Sequence, residues 1–289
     1  MHEIQYSAPS SVAEAVGLLA ASEVVRVLGG GTDLLIQLRA GTSQARHLID
    51  VKRIAELDVL AFDATHGLRI GAAVACHRLA ADPVVRATYP GLVEATTLIG
   101  STQIQSRATI AGNLCNGSPA ADTTPALIAL GAVCELAGPN GRREIPAESF
   151  VLAPGRTALA PGELLVAIRV PPPAAKSADC YQRFIPRNEM DIAVVGVGAA
   201  ITLNGERCTA ARVVLGAVGP TPLLASEAAQ ALVGTTLDDA ALARAAEAAM
   251  HAARPISDMR APAAYRREIT GVLTRRVVAE AARRARGRA

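Results

Sequence analysis

The chain has 289 residues, of which 51% are hydrophobic and 2% are aromatic, and its formal net charge is +3. That length allows two domains of ordinary size, with cores built from Ala, Val, Leu and Ile. The scarcity of aromatic rings argues against single-stranded nucleic-acid binding, and so mild a charge gives no reason to expect a polyanionic partner.

The first part of the chain predicts a small α/β unit. A capping box from Ser11 to Glu14 begins a helix that runs to about residue 21. The β-branched residues at 24–28 predict a strand, and a glycine turn then leads into a helix at Leu34–Arg39. A second strand is predicted at 47–51.

A longer mixed region follows. Its predicted strands are 68–76, 132–136, 142–145 and 163–170, and its predicted short helices are 77–81, 92–99 and 125–130. Residues 138–141 have the composition of a hairpin turn. Residues 100–122 show neither a helical nor a strand period, and so long a loop inside a compact domain points to binding.

The proline-rich residues 171–176 predict a linker. Beyond them, strands at 191–203 and 210–218 and helices at 238–253 and 262–284 predict a three-stranded sheet packed on helices. The fold class expected for the chain is therefore α+β. No apolar run is long enough to span a bilayer, and the N-terminal segment has no signal-peptide pattern, which together predict a cytoplasmic protein without membrane insertion.

One candidate site is the sequence from Val27 to Leu34, which leads from a strand through three glycines into a helix. Glycines let the backbone approach a ligand closely, and consecutive N–H groups at a helix start suit a diphosphate. Thr32 offers a hydroxyl donor, whereas Asp33 is expected to cap the helix or orient the loop. A plain tight turn is the simpler interpretation of this motif alone, since it lacks the third glycine of the dinucleotide fingerprint.

A second candidate is the segment TIAGN at 109–113, followed by SPAAD at 118–122. Thr109 and Asn113 can donate to phosphate or flavin oxygens. Asp122 precedes a predicted helix, where it can cap that helix, accept from ribose hydroxyls, or do both. Each segment alone is weak evidence for a ligand, and the two together are far more specific.

Other catalytic or metal-binding patterns are missing from the sequence. Its five cysteines include no CxxC pair, so neither zinc nor an iron–sulfur cluster has a ligand set, and lone thiols fit a reducing compartment. The histidines are isolated, and no nucleophile elbow, carboxylate pair or P-loop is present.

In their order along the chain, GGGTDL, TIAGN and SPAAD are similar to the FAD subunit of the xanthine dehydrogenase and carbon monoxide dehydrogenase family of molybdenum hydroxylases. Residues 181–193 look like the opening of that family's C-terminal domain. The resemblance implies the FAD-binding fold shared with vanillyl-alcohol oxidase and p-cresol methylhydroxylase, built from two α/β subdomains. It also implies an FAD-binding domain at 1–173, with subdomains at about 1–57 and 58–173, and a CO dehydrogenase flavoprotein-like C-terminal domain at 174–289.

The same resemblance implies roles for individual residues. The first segment would hold the pyrophosphate, the second would surround the diphosphate and ribityl chain, and two apolar residues would line the cofactor. Arg183 stands where xanthine-oxidising members have a lysine near the flavin ring, and a surface salt bridge is the equal alternative for it. The residues implied to bind FAD are Val27, Leu28, Gly29, Gly30, Gly31, Thr32, Asp33, Leu34, Ile99, Thr109, Ile110, Ala111, Gly112, Asn113, Asp122, Leu165 and Arg183.

The chain departs from the family pattern at two places. Ala111 stands where the family often has a second glycine, so the loop must tolerate a methyl group. Gln105 and Ser106 replace an Arg-Asn pair, and Arg107 is the neighbouring residue that can substitute for the lost contact.

The function implied is electron transfer. FAD on this chain would receive electrons from two [2Fe–2S] clusters in a small partner subunit, and a large partner subunit would carry molybdopterin, as a dimer of heterotrimers. The acceptor would be NAD, a quinone or oxygen, and this chain would hold no metal and no catalytic residue. Two alternatives remain open: a stand-alone flavin-dependent oxidoreductase of the same fold, and a non-catalytic scaffold whose glycine segments are merely turns.

Overall fold

The structure is a computed structural model that describes residues 3–21 and 24–288. Its strands, in chain order, are β1 Gln5–Ser7, β2 Val25–Leu28, β3 His47–Asp50, β4 Leu60–Asp63, β5 Gly67–Gly71, β6 Val133–Gly138, β7 Gly141–Pro146, β8 Val151–Ala153, β9 Arg156–Thr157, β10 Leu164–Val170, β11 Ser177–Phe184, β12 Val195–Asn204, β13 Arg207–Gly216 and β14 Leu223–Leu224. Its α-helices are α1 Val12–Ala20, α2 Leu34–Arg39, α3 Cys76–Ala81, α4 Pro83–Thr88, α5 Pro90–Thr97, α6 Thr102–Gln105, α7 Ile110–Cys115, α8 Thr123–Ala129, α9 Ser226–Gln230, α10 Asp239–Ala252 and α11 Ala263–Arg286.

The first unit is a parallel sheet of three short strands in the order β1-β3-β2. Gln5 of β1 and Val25 of β2 both lie opposite His47 of the central strand. The capping prediction for α1 is confirmed, because the Ser11 hydroxyl accepts from the Glu14 N–H at 3.2 Å. Parallel strands end at the same edge of the sheet, so β2 delivers the glycine turn beside the end of β3.

The second sheet has five antiparallel strands in the order β4-β5-β10-β6-β7. Its central strand, β10, is almost wholly buried, and α1 and α7 both contact it. The near-continuous apolar run of β10 reflects this cover on its two faces. Because α7 also carries the second candidate segment, β10 is the support from which that segment is positioned.

The C-terminal unit is an antiparallel sheet in the order β11-β12-β13-β14, packed against α11 and α9, and α10 packs against these two helices. Its core consists of small aliphatic side chains such as Val197, Ile201, Ala245 and Val277. The α+β class and the packing of a sheet on helices are confirmed. The predicted three strands are joined by a fourth, β14, which pairs with β13 through only two residues and has no sequence period.

Two predictions of local structure were wrong. The strand predicted at 68–76 ends at Gly71, and α3 begins at Cys76. Residues 100–122 are not one long loop, because they contain α6 and α7. These helices have 4 and 6 residues, which is too short for a helical period to show in the sequence.

The predicted linker, residues 171–176, is exposed along its length and is fastened to the protein at its first residue. The hydroxyl of the buried Tyr89 donates to the Pro171 carbonyl at 2.8 Å, and β11 begins at Ser177. The Asp179 carboxylate accepts from the Leu92 N–H of α5 at 2.9 Å. Within the described residues, no helix combines the length and apolar character that a membrane crossing requires.

Candidate cofactor site

A cleft of about 560 Å³ lies where the glycine turn, the start of α7 and β10 come together. This volume is within the range of small-molecule and cofactor sites. Thirteen of the predicted cofactor-binding residues line it, namely Val27, Gly29, Gly30, Gly31, Thr32, Asp33, Leu34, Ile99, Thr109, Ala111, Gly112, Asn113 and Leu165. Four others do not, namely Leu28, Ile110, Asp122 and Arg183.

The two candidate segments touch each other at Gly30. A Cβ atom on Gly30 would lie 2.1 Å from the Arg107 carbonyl oxygen, immediately before the second segment. The next glycine, Gly31, has a φ of +78°, and a Cβ there would lie 2.9 Å from the Leu28 side chain. Only glycine accommodates both the close approach and the left-handed turn, so the sequence requirement at these positions is geometric.

The glycine turn presents donors to the cleft. In the part of the chain that the structure describes, the N–H groups of residues 30–33 donate to no protein acceptor. Gly31 and Asp33 instead supply carbonyl acceptors to Leu35 and Gln37 of α2. Successive free amides of this kind form an anion-binding concavity.

The second segment is held by its own side chains. The Thr109 hydroxyl accepts from the Gly112 N–H at 2.9 Å and so caps α7, while its own proton remains available to a ligand. Thr123 donates to the Asn113 side-chain oxygen at 2.7 Å, which fixes the amide group at the cleft wall. Ala111 lies within α7 with its methyl group buried, and a helical residue needs no glycine.

Of the two roles predicted for Asp33, capping of α2 is wrong, and orientation of the loop stays a prediction. Asp33 occupies the N-cap position, but its carboxylate makes no capping hydrogen bond, and the residue lines the cleft. Partial loss of hydration raises the pKa of Asp33. A carboxylate in that position is available to a hydroxyl donor on a ligand.

Lys52 is a cation near the site that the sequence motifs did not reveal. Its ammonium group donates to the Gly29 carbonyl at 3.1 Å and pairs with Asp50 at 2.7 Å. Asp50 also accepts from the Tyr6 hydroxyl at 2.7 Å. Burial acts to raise the pKa of Asp50, but the hydrogen bonds from Lys52 and Tyr6 outweigh it and lower that pKa. Lys52 therefore stabilises the glycine turn through its hydrogen bond to the Gly29 carbonyl.

Asp122 and Arg183 form a buried ion pair, which corrects two predictions. The Arg183 guanidinium donates to Asp122 at 2.6 Å, and the Tyr181 hydroxyl donates to its other oxygen at 2.8 Å. Asp122 thus makes no capping bond to α8, and the Arg183 salt bridge lies inside the protein with both side chains less than a tenth exposed. Burial raises the pKa of Asp122 to about 6 despite both donors.

One atom of this cluster lacks a partner. Within the described residues, the buried Nε of Arg183 has no acceptor, whereas most buried donors in proteins have one. A ligand oxygen or a water molecule can accept a hydrogen bond from this Nε–H group. The contact of Arg183 with a flavin stays a prediction.

At the second departure from the family pattern, Gln105, Ser106 and the neighbouring Arg107 do not line the cleft. The Gln105 amide donates to the carbonyls of Thr97 and Ile99, and so fixes the turn after α5 that brings Ile99 to the cleft. Arg107 is exposed, and its side chain is not part of the cleft wall. The suggestion that Arg107 replaces the lost contact stays a prediction.

Several residues of the cleft were missed because they belong to no motif. Gln37 of α2 donates to the Asn116 side chain at 3.0 Å and joins the two sides of the cleft. Arg156 and Thr157 come from the short hairpin of β8 and β9. Glu163 also lines the cleft, with its carboxylate held by Arg143 at 2.7 Å. No spacing rule connects these positions in the sequence.

The cysteine thiols have low reactivity. Each cysteine is free, and burial raises the pKa of Cys76 and of Cys134 to about 12. In the described residues, no cluster of three or more histidine, cysteine or carboxylate side chains could hold a metal ion. The groups that line the cleft therefore suit the binding of a polar dinucleotide, through amides, hydroxyls and apolar walls.

Two family models match the chain. The FAD binding domain in molybdopterin dehydrogenase matches residues 2–173, and the CO dehydrogenase flavoprotein C-terminal domain matches residues 181–281. The carbon monoxide dehydrogenase medium chain of Afipia carboxidovorans is 37% identical over 97% of this chain and 97% of its own length. The putative xanthine dehydrogenase FAD-binding subunit of Escherichia coli is 32% identical over 98% of this chain and 97% of its own length.

Solved structures are similar over the same extent. The CO dehydrogenase of Oligotropha carboxidovorans contains a chain that is 36% identical, with a TM-score of 0.94 over 98% of this chain and 99% of that chain. The quinoline 2-oxidoreductase of Pseudomonas putida 86 contains one that is 30% identical, with a TM-score of 0.91 over 98% of both chains.

Proposed function

The chain belongs to the FAD-binding medium subunits of the carbon monoxide and xanthine dehydrogenase family, and we propose that it passes electrons from iron–sulfur clusters of a partner subunit to an external acceptor. The resemblance inferred from three short segments is thus confirmed, and so are FAD as the cofactor and oxidoreductase as the class. The observation that carries the proposal is the contact of the two candidate segments at Gly30, which makes them walls of one cleft.

We assign the binding of the FAD diphosphate to the free amides of residues 30–33 on one side and to Thr109 and Asn113 on the other. Leu28 and Ile110 support these segments from within the core, and Ile99 and Leu165 supply apolar wall. Bound FAD supplies the redox chemistry, since a flavin accepts single electrons and delivers pairs. The protein's part is to bind and orient it, which needs no acid–base residue.

Arg183 and Asp122 are proposed as the polar cluster next to the flavin ring. Their charges cancel while Asp122 is ionised, and protonation of Asp122 would leave Arg183 with a net positive charge. The pKa of Asp122, raised to about 6, puts this change close to neutral pH. A positive charge near a reduced flavin stabilises its anion, so the charge offered to the ring would depend on pH.

The partners proposed are a small subunit with two [2Fe–2S] clusters and a large molybdopterin subunit, as a dimer of heterotrimers. Support comes from the relatives, which are a medium chain and an FAD-binding subunit of dehydrogenases. The free thiols of this chain suit a reducing compartment, so we place the complex in the cytoplasm. We also propose domain boundaries at 1–173, with subdomains at about 1–57 and 58–173, and at 174–289. The end of the first family match at residue 173 and the start of the second at residue 181 support the boundary between the two domains.

The decisive experiment is rapid mixing of the purified complex with its substrate while flavin absorbance is followed. We expect the flavin to be reduced in the complete complex and to stay oxidised when the small subunit is left out. Flavin reduction by substrate in this chain alone would contradict the proposal and favour the stand-alone oxidoreductase. A colourless chain that takes up no FAD on titration would favour the scaffold alternative.

A further inference from the structure

Arg156 is a cleft residue to which no sequence motif assigns a role. It begins β9, the second strand of a short hairpin whose turn residue Gly155 has a φ of +70°. The Gly155 N–H donates to the Gly117 carbonyl at 3.0 Å, and the Ala158 N–H donates to the carbonyl of the buried Phe150 at 2.8 Å. The hairpin is thereby fastened to the chain that follows α7, and it holds Arg156 at the cleft wall.

The charges of the cleft single out this guanidinium. Glu163 is already paired with Arg143, and the other cationic residue of the wall, Arg26, donates to the Val25 carbonyl. Across residues 3–21 and 24–288, the Arg156 side chain makes no hydrogen bond and no ion pair. Arg156 is exposed, so its guanidinium is free to pair with an anionic group of a ligand that occupies the cleft.

We propose that Arg156 pairs with the diphosphate of FAD, an inference that rests on the proposed function. The diphosphate is the part of oxidised FAD that carries full negative charge. A guanidinium meets phosphate oxygens with two parallel N–H groups, which adds orientation to attraction. Arg156 thus acts as the cationic complement of the neutral amides in the glycine turn.

The test measures binding of three probes to the full-length chain freed of flavin: FAD, ADP and riboflavin. R156Q is expected to weaken FAD and ADP binding by about 10- to 100-fold, the range for loss of a charged hydrogen bond. Riboflavin has no phosphate, so its dissociation constant should change less than about twofold. R156K keeps the charge but loses the paired geometry, and it should fall between R156Q and the wild-type protein.

The matched control is R244Q, which removes an exposed arginine of α10 outside the cleft and should leave all three affinities unchanged. Thermal unfolding of each flavin-free variant checks that the variant is folded. If R156Q does not fold, R156K is the test, and the inference then predicts a lower affinity for ADP with an unchanged affinity for riboflavin. Unchanged FAD and ADP affinities would overturn the inference, as would a loss for riboflavin equal to that for FAD. If the wild-type protein binds no FAD, the proposed function fails together with this inference. If the wild-type protein binds FAD and R156Q binds FAD and ADP equally well, only this inference fails.

Discussion

Gly29 and Gly30 are neighbours in sequence with opposite surroundings, so their alanine variants separate binding of the ligand from stability of the fold. A Cβ on Gly29 has the Thr109 hydroxyl oxygen as its nearest neighbour, at 3.6 Å, which is an ordinary contact. A Cβ on Gly30 would lie 2.1 Å from the Arg107 carbonyl oxygen. The first methyl group fits beside the cleft, and the second collides with the backbone.

The distances give the expected sizes of the effects. A carbon–oxygen contact needs about 3.3 Å, so Gly30→Ala must separate the two segments by about 1.2 Å. Overpacking of this kind costs about 1–3 kcal/mol, and each kcal/mol lowers the melting temperature of a chain of this size by about 2–4 °C. Gly29→Ala has room for its methyl group, so its stability should change by less than about 1 kcal/mol.

The assay compares thermal unfolding of the flavin-free chain with the dissociation constant for FAD. We expect Gly30→Ala to lower both stability and FAD affinity, and Gly29→Ala to lower affinity while stability is kept, because its methyl group occupies space between the two segments. A Gly30→Ala variant with wild-type melting temperature and affinity would refute the contact on which the site is built. Wild-type affinity in Gly29→Ala and in the bulkier Gly29→Val would show that FAD does not lie against this turn.

Three further outcomes are expected. Lys52→Met removes the donor to the Gly29 carbonyl and should weaken FAD binding several-fold in a titration, with Lys52→Arg retaining most of it. Tyr181→Phe removes a buried hydrogen bond to Asp122 and should lower the free energy of unfolding by about 1 kcal/mol in urea denaturation. Asp179 has a folded pKa raised by burial to about 6 from 3.8, so its contribution to stability is greatest below pH 4 and is lost as the pH rises to 6. Asp179→Asn should therefore flatten that part of the stability profile, by up to about 3 kcal/mol, and an unchanged profile would contradict the buried carboxylate.

The sequence carries the parts of the fold that have a period or a cap. The helix after Ser11, the β-branched strand before the glycine turn and the buried run of β10 were all predictable, because each shows a cap, a β-branched run or a long apolar run. The helices α6 and α7 and the strand β14 show none of these signals, and they depend on neighbours distant in the chain. Local propensity has little influence on such short elements.

The residues of the candidate site also fall into those that have a signal in the sequence and those that have none. Glycines that must adopt positive φ or allow close approach leave a mark in the sequence, and Gly30 and Gly31 are of that kind. Asp122 looked like a helix cap because only its local position could be seen, whereas its partners Tyr181 and Arg183 lie about 60 residues away. Arg156 carried no signal at all, because its role depends on a hairpin that brings it to the cleft.

The buried thiols have a consequence for a protein that works with a reactive cofactor. A flavin that delivers its electrons to oxygen generates peroxide, and peroxide attacks the thiolate form of cysteine. With the pKa of Cys76 and of Cys134 raised to about 12, only about one molecule in 10⁵ carries the thiolate at pH 7 at either residue. Burial of these two thiols therefore disfavours their oxidation to sulfenic acid.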